Sequence, residues 1–390
     1  MLRDHLKYDV LILGAGVAGC ATAIALKNEN PKLGIAIIER EPFSVSKLHI
    51  GETLPPQASR QLQQLGLWNE FIACDFVSSF GTSAAWGSAS LHTNEFLYSA
   101  FGYGWNLDRS VFDKMMTDAA IKKGIEILSE TSCYETVKTN YGFDLHCVSG
   151  QNSFSMAAKF LVDATGRKAA FASMQGAEKI SHDQLVGIYS FYDTSNNSIA
   201  GIGKGTMVET DASGWWYTAT LPNNKLVLAY MTDADIANHM QLRKPNELDQ
   251  LLCKTNHTRQ RIQHATAISQ PRVVAAHTQS LTSVAGNGWL AVGDAASCYD
   301  PVSSLGIFKS LAMSRYAAFA ILNYLDDNGS GLQKYQQIIS NEFQAYQAKK
   351  QDYYNQETRF SNQSFWKRRQ SIKQTSNINQ NSKHETQFFI

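Results

Sequence analysis

Three glycines near the N-terminus have the spacing of a phosphate-binding turn. The apolar segment 9–13 predicts a strand, and Gly14, Gly16 and Gly19 follow it at the start of a predicted helix. In such a strand–turn–helix unit the first glycine permits the turn, and the second lets the backbone approach a pyrophosphate. The third lets the helix lie close to the strand. Because a helix N-terminus offers free N–H groups and a positive dipole end, we expect a pyrophosphate to bind here.

An acidic residue closes the second predicted strand. Segment 34–38 is apolar and Glu39 follows it, about 20 residues after the last glycine. A carboxylate in this place accepts hydrogen bonds from the ribose of a dinucleotide. Strand, glycine turn, helix, strand and acid together predict a dinucleotide-binding unit. The pattern alone does not distinguish an NAD site from an FAD site. The alternative interpretation is a unit of the same structure that binds no nucleotide.

Two later segments place an acid and small residues after an apolar strand. They read Asp-Ala-Thr-Gly at 163–166 and Gly-Asp-Ala-Ala at 293–296. The second is followed by Asp-Pro-Val-Ser-Ser-Leu-Gly at 300–306 and then by a long predicted helix. Each acid on its own could simply cap the next turn.

Composition and charge exclude several classes of function. The chain has 390 residues and a formal net charge of +1, so it can hold two joined domains and lacks the basic footprint of nucleic-acid binding. No apolar run is long enough to span a bilayer, and because the first strand is predicted from residue 9 we expect no signal peptide. The six cysteines form no CxxC pair or metal-ligand cluster. We therefore expect a cytoplasmic protein without metal, nucleic acid or membrane as partner.

The pattern of apolar and polar residues changes in the middle third of the chain. Short alternating segments predict an antiparallel sheet with strands over 186–192, 205–209, 215–221 and 225–230. A single helix is predicted over 247–260, and a loose polar tail over 370–383. The expected domains are a discontinuous dinucleotide-binding domain over 1–170 and 270–330, a substrate domain over 171–269, and a C-terminal helical and polar arm over 331–390.

The order of the three motifs resembles the group A flavoprotein monooxygenases, over about residues 8 to 325. The resemblance implies an α/β fold with an FAD-binding Rossmann-like domain of the aromatic-hydroxylase or glutathione-reductase type. It also implies an inserted antiparallel substrate domain, FAD as cofactor, O2 as co-substrate and an external reductant such as NAD(P)H. The oxygen chemistry then belongs to a flavin C4a-hydroperoxide, and the protein positions an electron-rich ring and excludes water. The implied FAD-binding residues are Gly14, Gly16, Val17, Ala18, Gly19, Glu39, Arg40, Arg109, Asp163, Gly293, Asp294, Pro301, Gly306 and Ile307.

Two further segments resemble the flavin-dependent tryptophan halogenases. They are Gly-Glu-Thr-Leu-Pro at 51–55 and Trp-Trp-Tyr at 215–217. Halogenases carry hypochlorous acid on a lysine downstream of the Gly-Glu stretch, but this chain has no lysine between Lys47 and Lys114. Halogenation is therefore not expected.

The departures from the halogenase pattern resemble a related branch. Ser-x-x-Trp-Gly-Ser at 83–88 and Asp-Pro-x-Ser-Ser-x-Gly at 300–306 look like the flavoproteins that modify lysine oxidase and glycine oxidase. That resemblance implies hydroxylation of a protein-bound tryptophan on the way to cysteine tryptophylquinone, with the precursor of a quinone-dependent amino-acid oxidase as the partner. The alternatives are a hydroxylase of a small aromatic metabolite, a flavoenzyme of the geranylgeranyl-reductase type, and a flavin-holding chaperone.

Several residues remain with two interpretations each. His49 and Glu52 are candidate catalytic residues, although a structural role is equally compatible with the sequence. Arg109 is the family's pyrophosphate arginine or an ion-pair partner on its own helix. Aromatic residues either line a substrate pocket or form core, and those of the C-terminal arm either dock a partner or pack. The candidate pocket residues are Trp86, Trp215, Trp216 and Tyr217, and those of the arm are Tyr353, Tyr354, Phe360 and Trp366.

Overall fold

The computed structural model of the chain describes residues 6–42, 50–96, 99–195 and 205–370. His49 and the predicted tail beyond residue 370 lie outside the described residues. The helices are α1 Val17–Glu29, α2 Ala58–Leu65, α3 Trp68–Ala73, α4 Arg109–Lys122, α5 Ala170–Met174, α6 Ala234–His239, α7 Pro245–Leu252, α8 His257–Ile262, α9 Gly306–Leu325, α10 Ser330–Asn355 and α11 Ser364–Gln370.

The strands form a parallel-rich sheet, an antiparallel sheet and two small sheets. Their bounds are β1 Leu6–Leu13, β2 Ile35–Ile38, β3 Thr53–Leu54, β4 Val77–Ser79, β5 Gly81–Ala85, β6 His92–Glu95, β7 Gly104–Asn106, β8 Glu126–Leu128, β9 Thr131–Lys138, β10 Phe143–Ser149, β11 Asn152–Asp163, β12 Lys179–Ser181, β13 Leu185–Asp193, β14 Thr206–Asp211, β15 Gly214–Leu221, β16 Lys225–Asp233, β17 Thr266–Ala267, β18 Arg272–Ala275, β19 Gln279–Leu281, β20 Ala285–Gly286, β21 Trp289–Ala291 and β22 Ser297–Cys298.

The first sheet is built around the buried strand β1. Strands β2 and β11 flank β1 in parallel, and β8 and β21 extend the sheet on either side, also in parallel. Helix α1 lies on this sheet and packs against α9, and its face is lined with small buried residues such as Cys20, Ala21 and Ala23. Because the carboxyl ends of parallel strands meet at one edge, the three sequence motifs converge there.

The antiparallel sheet has the strand order β17-β13-β16-β15-β14-β5-β6, with β18 also paired to β13. It extends beyond the predicted segment 171–269, because β5 joins it through a parallel pairing with β14 that brings Thr82 opposite Thr206. Helices α6, α7 and α8 supply buried residues to the core on one face, and the opposite face packs against the C-terminal arm. The α/β fold class with a second sheet and C-terminal helices is thus confirmed.

The single helix predicted over 247–260 is wrong. The chain forms two helices, α7 and α8, on either side of a break. Both oxygens of the buried Glu209 carboxylate accept hydrogen bonds from the start of α8, from Asn256 N at 2.8 Å and Thr258 N at 2.7 Å. This carboxylate comes from a distant strand, so local sequence did not reveal the second helix start.

The described part of the C-terminal arm is a packing element. Tyr353, Tyr354 and Trp366 are buried against the antiparallel sheet together with Trp86 and Trp215. The alternative in which these buried aromatics dock a partner is therefore wrong. Phe360 is partly buried against the same cluster.

An ion pair fastens the end of the arm to the sheet. Arg369 Nη2 lies 2.7 Å from Asp233 Oδ1, and both side chains are almost fully buried, whereas the neighbouring Arg368 is 45% exposed. Replacing Arg369 with methionine is expected to lower the free energy of unfolding by about 3 kcal/mol, because the buried Asp233 carboxylate loses a positively charged partner. The matched change Arg368→Met should cost less than about 1 kcal/mol. Urea unfolding of both variants checks this, and equal losses would contradict it.

Among the described residues, no helix combines the length and the apolar character that crossing a membrane requires. The same residues contain no group of three or more His, Cys, Asp or Glu side chains placed to hold a metal ion.

Candidate active site

A cavity of about 460 Å³ is lined by residues that follow the strands of the first sheet and by residues of the antiparallel sheet. The glycine turn (16–18), segment 50–53 and Arg109 border it, and so do segments 164–167 and 299–307. The antiparallel sheet contributes the apolar side chains of Val227, Ala229, Met231 and Val274, and Ala276 follows its strand β18. One cavity therefore joins the predicted dinucleotide turn to an apolar wall.

The three glycines of the turn serve different needs. Gly14 has φ +113°, and an added Cβ would lie 2.4 Å from the carbonyl oxygen of Ala164. A Cβ on Gly19 would lie 2.0 Å from the carbonyl oxygen of Gly14. A Cβ on Gly16, by contrast, would meet nothing within 4 Å. The fold requires the first and third glycines, while the second leaves open space beside the cavity that a ligand can fill.

The start of α1 is prepared for an anion. Gly16 is its N-cap residue, no side chain caps the helix, and the first turn contains no acidic residue. Val17 and Ala18 begin the helix and line the cavity. Because the positive end of the helix meets open space, the residues present fit the pyrophosphate of FAD.

Glu39 is partly engaged by the turn itself. Its Oε2 accepts a hydrogen bond from Ala15 N at 2.8 Å, and its Oε1 accepts one from Glu41 N at 2.9 Å. The ribose contact of Glu39 stays a prediction. Arg40 is exposed and pairs with Glu41 at 3.1 Å, outside the residues that line the cavity.

The predicted cofactor contact of Asp163 is wrong. This side chain is fully buried, and both of its oxygens are satisfied by the protein. Oδ1 accepts from the backbone N and the Oγ1 of Thr165 at 2.9 Å and 2.6 Å, and Oδ2 accepts from Ala172 N at 2.8 Å. Asp163 caps the turn that follows β11, which is the alternative that the motif alone left open.

Asp294 lines the cavity and has a partner that sequence reasoning missed. The ammonium of Lys309 lies 3.0 Å from Asp294 Oδ1, donates to the carbonyl of Ser297, and sits 4.4 Å from the centre of the Tyr299 ring. Lys309 is only 4% exposed, whereas the Asp294 side chain is 46% exposed. A lysine inside the apolar start of the long helix was the available signal.

The two partners of this ion pair are expected to differ in their effect on stability. Asp294→Ala leaves the buried Lys309 ammonium without its carboxylate, and should lower the free energy of unfolding by roughly 3 kcal/mol. Lys309→Met leaves a carboxylate that water can still solvate, and should cost roughly 1 kcal/mol. Denaturant unfolding of the FAD-free protein measures both, and the reverse order would contradict this arrangement.

Two glycines near α9 also differ in purpose. Gly293 has φ +60°, and a Cβ there would lie 2.5 Å from the Cβ of Ala18, so close packing on α1 requires it. A Cβ on Gly306 would meet nothing within 4 Å. Gly306 lines the cavity with Pro301 and Ile307, so this backbone is open to a ligand as the turn at Gly16 is.

The loop before α9 is held by the C-terminal arm. The buried Asp300 accepts hydrogen bonds from Val302 N at 2.9 Å and from the hydroxyl of Tyr354 at 2.8 Å. Tyr299 stacks on Tyr346 with ring centres 3.9 Å apart. Burial raises the pKa of the Asp300 carboxyl. The arm therefore fixes one wall of the cavity.

Arg109 lines the cavity and forms an ion pair on its own helix, which is one of its two sequence interpretations. Asp108 caps its helix, and its guanidinium forms a bidentate pair with Asp113, at 3.1 Å and 3.2 Å. Its Nη1 also donates to the carbonyls of Ile50 and Gly51, at 3.1 Å and 3.2 Å. Arg109 thus ties α4 to segment 50–53, and its contact with a pyrophosphate stays a prediction.

Glu52 is a buried carboxyl in the wall of the cavity. It is 1% exposed, and burial raises its pKa to about 7, against the opposing effects of the nearby Arg109 charge and of hydrogen bonds. The hydroxyl of Tyr217 lies 3.5 Å from Glu52 Oε2 and 2.9 Å from Thr53 Oγ1. Within the described part of the chain, Glu52 Oε1 has no hydrogen-bond partner.

Of the four aromatic residues predicted for the pocket, only Tyr217 lines the cavity. Trp86 and Trp215 are buried against the arm, and donate to the Tyr353 carbonyl and the Tyr354 hydroxyl. Trp216 points to the other face of the sheet, because side chains alternate along a strand, and it bonds Asp211 there. The pocket prediction is wrong for these three tryptophans.

Known proteins share this architecture. LodB, an FAD-dependent oxidoreductase of Marinomonas mediterranea, is 29% identical to this chain over 370 residues, covering 94% of this chain and 98% of LodB. The structure of the myxobacterial chondrochloren halogenase CndH has a TM-score of 0.83 at 19% identity, covering 95% of this chain and 87% of that one. QhpG, a peptidyl tryptophan dihydroxylase essential for tryptophylquinone cofactor biogenesis, has a TM-score of 0.69 at 23% identity, covering 96% and 81%.

These relatives confirm the halogenase-like fold and the resemblance inferred from the motifs. Because the two solved structures are 19% and 23% identical to this chain, their similarity shows a shared fold and does not show a shared activity. The family model described as "FAD binding domain" matches residues 7–340. The chain belongs to this FAD-binding family and is an FAD-dependent oxidoreductase.

Proposed function

We propose that this enzyme hydroxylates a protein-bound tryptophan in the precursor of a quinone-dependent amino-acid oxidase, using FAD, O2 and a reductant such as NAD(P)H. The observation that carries the proposal is the cavity that joins the glycine turn to an apolar wall and is lined by the buried carboxyl of Glu52. An electron-rich ring suits such a wall. QhpG, similar in fold, acts on a peptidyl tryptophan, which supports the same class of substrate here.

The residues of the chain have separable tasks in this proposal. Bound FAD supplies the activation of O2. The N–H groups at 16–18 would hold its pyrophosphate, and the backbone around 301–307 would border the rest of the cofactor. The apolar side chains of β16 and β18 orient the substrate ring and exclude water, which favours oxygen transfer over loss of peroxide.

The absence of a lysine between Lys47 and Lys114 favours hydroxylation over halogenation. Halogenases in this fold hold hypochlorous acid on such a lysine. The segment that would supply it contains β5, whose residues are Gly-Thr-Ser-Ala-Ala. We therefore assign oxygen transfer to the ring, rather than transfer of a halogen.

The test uses the precursor of a quinone-dependent amino-acid oxidase, produced in cells that lack this enzyme. The oxidase precursor is mixed with the FAD-loaded enzyme, NAD(P)H and air, and its tryptic peptides are weighed. We expect oxygen to be added at one tryptophan, and no addition when FAD is omitted. Omitting O2 should also abolish the addition. A reductase of the geranylgeranyl type, by contrast, does not require O2.

Two results would contradict the proposal. One is an unmodified precursor together with rapid oxygenation of free tryptophan or indole, which would indicate a hydroxylase of small aromatic metabolites. The other is normal maturation of the oxidase by an enzyme variant that cannot bind FAD, which would indicate a chaperone.

A further inference from the structure

The polar side chains that line the cavity include those of Glu52, Arg109, Tyr217 and Asp300. Arg109 is occupied by Asp113 and by two backbone carbonyls. Asp300 is occupied by Tyr354 and Val302. The hydroxyl of Tyr217 bonds Thr53. Glu52 is therefore the member of this set with an oxygen that has no partner among the described residues.

An unpartnered buried acceptor needs an explanation. Glu52 is 1% exposed, so bulk water does not solvate its carboxyl well. Native proteins satisfy nearly all such groups, and those left open are often functional. Because Glu52 lines the cavity, the missing donor can come from the molecule that occupies it.

The surroundings of Glu52 restrict what that donor can be. The wall beside it consists of Val227, Ala229 and Met231 on β16, and Ala229 stands directly opposite Tyr217 in the sheet register. Such a wall suits a flat apolar ring, and a single acceptor suits a ring with a single donor. An indole has this combination, since its N–H donates and the rest of the ring system neither donates nor accepts strongly.

We propose that Glu52 is a catalytic residue that accepts a hydrogen bond from the indole N–H of the substrate tryptophan. The inference rests on the proposed function, which supplies the indole. A phenylalanine ring lacks the donor and would leave the carboxyl unsatisfied, so Glu52 also determines specificity.

The same contact assists the reaction. One oxygen atom of O2 forms a bond to a ring carbon, the C–H bond at that carbon breaks, and the other oxygen atom leaves as water. The reductant supplies the two electrons, and the proton lost from the ring passes to solvent. While the new C–O bond forms, positive charge spreads to the indole nitrogen. A carboxylate hydrogen-bonded to that nitrogen stabilises the charge.

Tyr217 and Thr53 are positioning residues for this carboxyl. Their hydroxyls are linked at 2.9 Å, and Thr53 is linked to Thr206 at 3.1 Å. The chain of hydroxyls fastens segment 50–53 to the antiparallel sheet. Tyr217→Phe should therefore keep the preference for an N–H donor while weakening it, because the carboxyl remains but is less firmly held.

The test measures binding rather than turnover. Indole, 1-methylindole and benzothiophene are titrated into the FAD-loaded protein by calorimetry. The wild-type protein should bind indole at least about 10-fold more tightly than either analogue, as expected for a hydrogen bond to a charged group. Benzothiophene has nearly the size of indole and controls for the added methyl group. In Glu52→Leu the preference should fall to about 1-fold, with FAD affinity unchanged.

Equal binding of the three probes by the wild-type protein, or binding of none, would overturn the inference. So would a preference that survives in Glu52→Leu. Glu52→Gln, which preserves shape, gives a second reading if the leucine variant does not fold, and should reduce the preference. Oxygenation of the oxidase precursor without any N–H preference would refute the role of Glu52 and leave the proposed function standing. An N–H preference without oxygenation of the precursor would refute the proposed function and leave this site standing.

Discussion

Replacing Gly16 with valine is expected to weaken FAD binding by at least about 100-fold, while the FAD-free protein keeps its stability. A side chain at this position meets nothing of the protein within 4 Å, but it projects into the cavity at the start of α1. It would therefore displace the pyrophosphate from the helix N-terminus and remove several charge-assisted hydrogen bonds. Flavin fluorescence titration and thermal unfolding of the apoprotein give the two quantities.

Gly19→Val is the matched control for this variant. Its side chain would lie 2.0 Å from the carbonyl oxygen of Gly14, so α1 would have to move away from β1. We expect the Gly19 variant to be unstable even without FAD. If the Gly16 variant binds FAD normally, or if both variants unfold alike, the assignment of the turn to the cofactor is contradicted.

Glu52→Gln is expected to stabilise the FAD-free protein more at pH 8 than at pH 4. Its effect on the free energy of unfolding should differ by about 3 kcal/mol between the two pH values. Burial raises the pKa of Glu52 from 4.5 to about 7 in the folded protein. Between these values the unfolded chain loses the proton while the folded chain keeps it. The folded state therefore binds more protons, and its stability falls as the pH rises through this range. Glutamine has no such titration.

Urea unfolding of both proteins between pH 4 and pH 8 measures this difference. The gain from glutamine should be absent near pH 4, where glutamic acid is protonated in both states, and complete near pH 8. A difference that does not change with pH would show that Glu52 has an ordinary pKa and is not desolvated. Tyr217→Phe removes a hydrogen bond that lowers the pKa of Glu52, so it should move the transition to higher pH.

Sequence could predict the parts of the site that depend on local geometry. The positive φ of Gly14 and the close approach of Gly19 to the carbonyl of Gly14 both lie within one strand–turn–helix unit, and the structure has both features. Asp108 caps α4 by accepting a hydrogen bond from Ser110 N, two residues along the chain, and Gly124 follows that helix with a positive φ. These features depend on neighbours a few residues away, which a single sequence displays.

Features that depend on distant partners were not predictable in the same way. Alternation along β15 separates Trp215 from Trp216, but it does not say which face meets the cavity or that the arm covers Trp215. The motif around Asp163 was compatible with both a cofactor contact and a cap, and only the bond to Ala172 decides between them. Lys309 reaches Asp294 only because α9 packs beside the loop at 293–298.

The proposed function is tested most directly by the origin and the place of the added oxygen. The FAD-loaded enzyme, the oxidase precursor and NAD(P)H are incubated under oxygen gas enriched in the heavy isotope, and the tryptic peptides of the precursor are then analysed by mass spectrometry. The proposal predicts that heavy oxygen appears on one tryptophan, and that the Gly16→Val enzyme transfers none. An unlabelled tryptophan, or label that enters from heavy water instead, would contradict it.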